Sequence, residues 1–157
     1  MENVGKSANK ISPGTLESFS REDTYEFAKS LGQKALAGGV YLLSGDLGTG
    51  KTVFAQGFAD GLGVRDIVNS PSFTIMQIYD SGRVPLYHFD VYRIADSFEM
   101  DELGYEEYFY GEGVTLIEWP EMIEDIIPHD SVSIKIEKNL EKGFDYRLIT
   151  VKEGMDI

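Results

Sequence analysis

Gly45-Asp46-Leu47-Gly48-Thr49-Gly50-Lys51-Thr52 sets two glycines, with four residues between them, directly before a lysine and a hydroxyl. Glycines let the chain turn tightly enough for successive N–H groups to converge on phosphate oxygens, lysine adds a point charge, and the threonine hydroxyl can ligate Mg2+. The octapeptide therefore predicts a nucleoside-triphosphate site in which Asp46, Leu47, Gly48, Thr49, Gly50, Lys51 and Thr52 contact the nucleotide and Thr52 faces the metal. Chemistry at such a site also needs a carboxylate to organise Mg2+ and a group to position the attacking oxygen. Glu118, at the end of the apolar run Val114-Thr115-Leu116-Ile117, suits the metal shell, because a buried strand delivers its last side chain to the mouth of a sheet. Asp90, in His88-Phe89-Asp90-Val91-Tyr92-Arg93, suits the positioning of water or of a metal-bound water. The competing readings are a surface glutamate and a structural Asp90–Arg93 pair. Ser70, Ser72 and Thr74 put three hydroxyls where related folds keep a segment that senses the γ-phosphate, against the plainer reading of a proline-induced turn. His88 reads as a hydrogen-bonded core histidine, and Trp119 as a residue packed on the sheet.

These residues need elements to hold them. Val40 to Ser44 reads as the strand that feeds the phosphate loop. Val53, Phe54, Ala55, Phe58 and Ala59 mark the helix that follows, its positive dipole end facing the phosphates. Upstream, Ser20 and Asp23 form a capping-box-like start, and Phe27, Leu31 and Ala35 share one face of a helix running to Gly38-Gly39. Downstream, Phe73 to Tyr79 and Val84 to Phe89 flank the turn Asp80-Ser81-Gly82-Arg83 and predict a hairpin. A short helix over Phe98 to Leu103 precedes an aromatic segment without clear periodicity. Val114 to Glu118 resembles a Walker B strand, followed by Trp119-Pro120 and a short helix from Met122 to Ile127. Ser131 to Ile136 and Tyr146 to Val151 finish the chain as an antiparallel pair. The expected fold is α/β and P-loop NTPase-like, a mixed β-sheet flanked by helices with an antiparallel C-terminal strand pair. It is organised as a mobile N-terminal tail over residues 1–14 and one ATPase domain over residues 15–157.

Composition narrows the setting. At 157 residues, with 42% hydrophobic and 26% charged residues, the chain can bury one core without disulfides or metal staples. It contains no cysteine. No apolar stretch approaches the roughly twenty residues of a spanning helix, and the opening residues lack a signal-peptide core, so a cytoplasmic location without membrane attachment is expected. The net charge of −13 is concentrated between Arg93 and Asp130, where one basic residue faces twelve acidic ones. That flank repels a nucleic-acid backbone and suits solvent or a protein partner, which leaves direct tRNA contact open.

Together, the octapeptide, Asn69-Ser70-Pro71-Ser72-Phe73-Thr74, His88-Phe89-Asp90-Val91-Tyr92-Arg93, Leu103-Gly104-Tyr105 and Glu118-Trp119-Pro120 resemble the TsaE (YjeE) family. The resemblance implies a bacterial ATPase that uses ATP and Mg2+ and is required to form threonylcarbamoyladenosine in tRNA. It implies work with the TsaB and TsaD proteins, without transfer of the threonylcarbamoyl group by this chain itself. Position by position, it implies Lys51, Asp90 and Glu118 as catalytic residues, Lys51 and Thr52 on phosphates and Mg2+, Glu118 in the metal shell and Trp119 beside the nucleotide. Thr24 and the turn before Arg147 fall near the base. Ser72 stands where the family usually has threonine. A small-molecule kinase of the same fold is the alternative. It would need several arginines to clamp phosphates, and the five present, Arg21, Arg65, Arg83, Arg93 and Arg147, are scattered. A GTPase would carry an Asn-Lys-x-Asp signature, which does not occur, so adenine is preferred.

Overall fold

The computed structural model describes residues 14–157. Its elements run β1 (Gly14–Ser18), α1 (Arg21–Lys34), β2 (Val40–Ser44), α2 (Lys51–Gly61), β3 (Met76–Tyr79), β4 (Leu86–Asp90), α3 (Phe98–Asp101), α4 (Tyr105–Phe109), β5 (Val114–Glu118), β6 (Val132–Lys138) and β7 (Arg147–Glu153), with 3-10 turns at Pro120–Ile126 and Leu140–Lys142. All seven strands share one sheet in the order β1-β7-β6-β2-β5-β4-β3. The four central strands, β6, β2, β5 and β4, are parallel to one another, and the outer pairings β3–β4, β6–β7 and β1–β7 are antiparallel. The mixed α/β sheet, the hairpin and the antiparallel C-terminal pair agree with the sequence reading.

Several boundaries differ from it: β3 starts at Met76 rather than Phe73, β4 spans Leu86–Asp90 rather than Val84 to Phe89, α4 forms within the aromatic segment, and the helix expected from Met122 to Ile127 is a 3-10 turn over Pro120–Ile126. Of the tail expected over residues 1–14, residues 1–13 lie outside the described residues, and Gly14 opens β1, pairing with Val151. A polar five-residue edge strand has no strong periodicity, and only the partner strand β7 makes it visible. Helix α1 ends at Lys34 rather than at Gly38-Gly39. Its start is as expected: the Ser20 Oγ accepts from the Asp23 N–H at 3.1 Å, and Asp23 Oδ2 accepts from the Phe19 N–H at 2.9 Å. That reciprocal arrangement satisfies donors that a helix N-terminus leaves orphaned.

The central strands are apolar on both faces because both are covered. On one face, Tyr41, Leu43, Leu116 and Ile134 pack against Ala28 and Leu31 of α1 and Phe54, Phe58 and Ala59 of α2. On the other, Leu42, Phe89 and Ile117 pack against Met100, Phe109, Ile123 and Ile127. Each fully buried Phe or Leu contributes about 1.5–3 kcal/mol. Helices α1 and α2 touch backbone to backbone: a Cβ on Gly57 would lie 2.3 Å from the Tyr25 carbonyl oxygen. Glycine is what allows this approach, and it seats α2, whose first residue is Lys51, firmly on α1. Among the described residues no helix is long and apolar enough to cross a membrane.

Candidate functional site

The glycine-rich loop over Gly45 to Gly50, expected to bind phosphates, links the end of β2 to the start of α2. Gly48 (φ 78°) and Gly50 (φ 103°) take left-handed backbone, which a residue with a Cβ adopts only at a cost. A Cβ at Gly45 would stand 2.7 Å from Thr49 Oγ1 and 2.8 Å from the Ile136 carbonyl oxygen. The loop also closes on itself. Thr49 Oγ1 donates to the Asp46 carbonyl at 2.9 Å, and the Lys51 ammonium donates to the carbonyls of Gly45 and Asp46, the latter at 3.3 Å. Its Nζ lies 4.0 Å from the centroid of the Trp119 ring. Burial pushes the Lys51 ammonium below its ordinary pKa, while the negative charges of Glu118, Asp90, Glu121 and Asp46 pull it back up. Leu47 is exposed, Thr49 buried, and Thr52 exposed at the first turn of α2.

Strands β4 and β5 deliver the two carboxylates side by side. Asp90 and Glu118 are register partners at the ends of adjacent parallel strands. The alternation of a strand places His88 and Asp90 with Leu116 and Glu118 on the sheet face that carries α2. Both acids are buried, at 4% and 3% exposure. Asp90 Oδ2 accepts from Ser70 Oγ at 3.2 Å and Oδ1 from the Tyr92 N–H at 3.1 Å. The Arg93 guanidinium lies over the Phe73 ring, 4.6 Å from its centroid, so the alternative Asp90–Arg93 pair is not what the fold builds among the described residues. Glu118 is no surface glutamate. Its Oε2 meets His88 Nε2 at 2.7 Å.

The hydroxyl loop divides. Ser70 binds Asp90, Ser70 and Ser72 hydroxyls lie 3.3 Å apart, and Thr74 is exposed. Trp119 is half-buried and meets the Tyr92 ring at a tilt of 48° with centroids 4.6 Å apart, taking a left-handed backbone (φ 63°) immediately after Glu118. Thr24 lies with Ser20, Arg21, Thr49, Gly50, Val53, Asp145 and Arg147 around a small depression on the far side of the loop. An open cleft of about 540 Å³ on the near side is lined by Gly45, Asp46, Trp119, Glu121 and Lys135.

Two contacts escape the sequence reading. From β7, the Arg147 Nε donates to the Thr49 carbonyl at 2.8 Å and its Nη2 to the Gly48 carbonyl at 3.4 Å. Nothing local signals this, since the partners are separated by nearly a hundred residues. The second is the His88–Glu118 contact, to which the His-x-Asp alternation offers a hint by placing His88 and Asp90 on one face.

The residues fit a nucleotide with Mg2+. The Gly45 cradle has no room for a Cβ, Lys51 donates only to backbone carbonyls, and a hydroxyl with two buried carboxylates stands nearby. Among the described residues no group of three or more His, Cys, Asp or Glu side chains could hold a metal by itself. A cation here would need phosphate oxygens as well, the usual habit of Mg2+.

Comparison with known proteins gives one answer. The family described as threonylcarbamoyl adenosine biosynthesis protein TsaE matches residues 18–147. A Bacillus subtilis protein named tRNA threonylcarbamoyladenosine biosynthesis protein TsaE is 49% identical over 129 residues, covering 82% of this chain and 78% of its own. A Treponema pallidum protein of the same name is 40% identical over 119 residues, covering 76% and 87%. The crystal structure of YdiB from Bacillus subtilis superposes with a TM-score of 0.77 at 40% identity, over 93% of this chain and 90% of that one. Sequence and overall fold agree, and the chain belongs to the TsaE family of threonylcarbamoyl adenosine biosynthesis proteins.

Proposed function

We propose that this protein binds and hydrolyses ATP with Mg2+ as a nucleotide-dependent partner of TsaD and TsaB in forming tRNA threonylcarbamoyladenosine, without transferring the threonylcarbamoyl group itself. The observation that carries the reading is the convergence of Lys51, Asp90 and Glu118 around one phosphate loop, in a chain whose relatives bear that biosynthetic name. In this reading the loop N–H groups and Lys51 bind the phosphates, Trp119 and Tyr92 wall one side of them, and Thr24 with the Asp145–Arg147 turn borders the depression that suits the base. Thr52 and Glu118 would hold Mg2+, which would supply Lewis-acid polarisation of the phosphate oxygens. Asp90, fixed by Ser70 and the Tyr92 N–H, orients the attacking water and ties the Ser70–Thr74 loop to the state of the site.

Hydrolysis by the isolated chain is slow in this account, because three of the five arginines are engaged away from the transferred phosphoryl group. Arg83 donates to the carbonyls of Gly32 and Gln33, Arg147 to backbone carbonyls, and Arg93 covers Phe73. A partner would complete the site. The same disposition argues against a small-molecule kinase, which needs such arginines on donor and acceptor phosphates.

The test is multi-turnover threonylcarbamoyl incorporation into tRNA with the purified cognate synthase, TsaB and TsaD, comparing the intact chain, no chain and Glu118→Ala. Sustained turnover with the intact chain alone is expected. Turnover that proceeds equally without it would overturn the reading.

A further inference from the structure

The His88–Glu118 contact has no place in that account, and it is costly. His88 is 1% exposed and Glu118 3%. The single contact, Nε2 to Oε2 at 2.7 Å, leaves His88 Nδ1 as a buried nitrogen without a partner, one of two such side-chain atoms among the described residues. A neutral imidazole carries its proton on one nitrogen and offers a lone pair at the other. With the proton on Nε2, the ring donates to the carboxylate and only an acceptor at Nδ1 goes unmatched. With the proton on Nδ1, a buried donor is wasted and Glu118 must itself be protonated to make the contact. The first arrangement keeps Glu118 ionised for a cation. For stability alone, apolar side chains in both the His88 and Glu118 positions would serve as well, since buried polar pairs seldom repay their desolvation. What the histidine adds is direction. It anchors one oxygen of Glu118 from below, and Oε1 makes no hydrogen bond among the described residues.

We propose that His88 is a positioning residue for the nucleotide-bound cation: it donates from Nε2 to Glu118 Oε2 and thereby fixes the other carboxylate oxygen toward the phosphate loop. The inference rests on the reading of Glu118 as a metal-shell residue. Hydrogen-bonded neighbours of ligating carboxylates typically matter ten- to a hundredfold in metal affinity or activity.

The experiment measures ATP affinity through the single tryptophan, Trp119, in Mg2+ and in EDTA, together with kcat and KM in the reconstituted system. It compares the wild type, His88→Leu and His88→Gln. In His88→Leu, affinity in EDTA should stay within about twofold, while the gain on adding Mg2+ and kcat should each fall on the order of tenfold or more. His88→Gln, whose amide can donate to the same oxygen, should recover most of both. A parallel measurement needs no variant: the 15N spectrum of the histidine-labelled wild type should show His88 protonated at Nε2 and bare at Nδ1. An Nδ1–H ring, or a folded His88→Leu with an unchanged Mg2+ response, overturns the proposal. A wild type that itself ignores Mg2+ removes the proposed function, and this inference with it.

Discussion

Replacing Arg147 with alanine should loosen the phosphate loop from behind. The guanidinium is half-buried on β7 and makes three good bonds, to the carbonyls of Thr49 (2.8 Å), Phe144 (2.9 Å) and Tyr146 (2.7 Å), and a weak fourth to Gly48 at 3.4 Å. Bonds from a charged donor are worth about 1.5–3 kcal/mol each when fully buried. Here solvent can re-satisfy part of each carbonyl, so a total loss of about 2–3 kcal/mol is expected, within the usual range for a broken buried network. At about 2–4 °C per kcal/mol for a chain of this size, the unfolding midpoint should drop by roughly 5–10 °C.

The bonds to Thr49 and Gly48 are the share that holds the loop in shape. If they represent about half the total, loop pre-organisation weakens by about 1–1.5 kcal/mol, close to tenfold in ATP affinity. Calorimetric titration with ATP and a thermal unfolding curve read the two effects separately. Arg147→Lys should recover little of the affinity, because an ammonium lacks the planar fork that reaches the Thr49 carbonyl and the β6–β7 turn together. A lowered midpoint with unchanged ATP affinity would refute the reasoning and reduce Arg147 to a clamp on that turn.

Lys51→Ala should abolish measurable ATP binding with the fold retained, and equal affinity by titration calorimetry would contradict the site. Gly45→Ala should cut ATP affinity at least tenfold, because its Cβ would press on Thr49 Oγ1 and the Ile136 carbonyl oxygen, which are part of the rigid loop and sheet; a variant that binds as the wild type does would show that the loop can yield. Burial pushes the Tyr41 hydroxyl up to about 12, and hydrogen bonding to Asp60 does the same for Tyr25. The folded chain then holds protons that the unfolded chain releases near pH 10, so this stability is complete below about pH 10 and lost as pH rises toward 12. Tyr41→Phe should flatten part of that alkaline decline in urea midpoints, and an unchanged slope would count against the assignment.

The glycine-rich turn between β2 and α2, and β2, α2 and β5 themselves, were legible because each carries a local signal: glycine spacing, apolar continuity, and a carboxylate at a strand end. The hairpin and the C-terminal pair were legible from alternation around polar turns. Strand β1 was not, since Gly14 to Ser18 has only one buried residue and acquires its identity from β7. The end of α1 was misread because Gly38-Gly39 looks like a stop. The helix instead ends at Lys34, two residues beyond Gly32, where a Cβ would lie 2.1 Å from the Phe58 carbonyl oxygen. Within the site, residue types were readable and partners were not. Asp90 could be named from its motif, but whether Arg93 or Ser70 would hold it depended on where the Pro71 turn returns the chain.

Strain marks where that return matters. Ile75 (φ 70°) and Trp119 (φ 63°) are the non-glycine residues in left-handed backbone among the described residues, a conformation that costs about 1 kcal/mol or more, most of all for a β-branched side chain. Each stands next to an acid of the site. The Ile75 carbonyl accepts from the Asp90 N–H at 2.8 Å, and Trp119 directly follows Glu118. Both side chains pack on the second apolar core, on the face away from α2. The two cores therefore divide the labour. The one under α1 and α2 seats the Gly45–Gly50 loop through a glycine-tight helix contact, and the opposite one holds the two strained turns that stand beside the carboxylates, which strand alternation places on the α2 face.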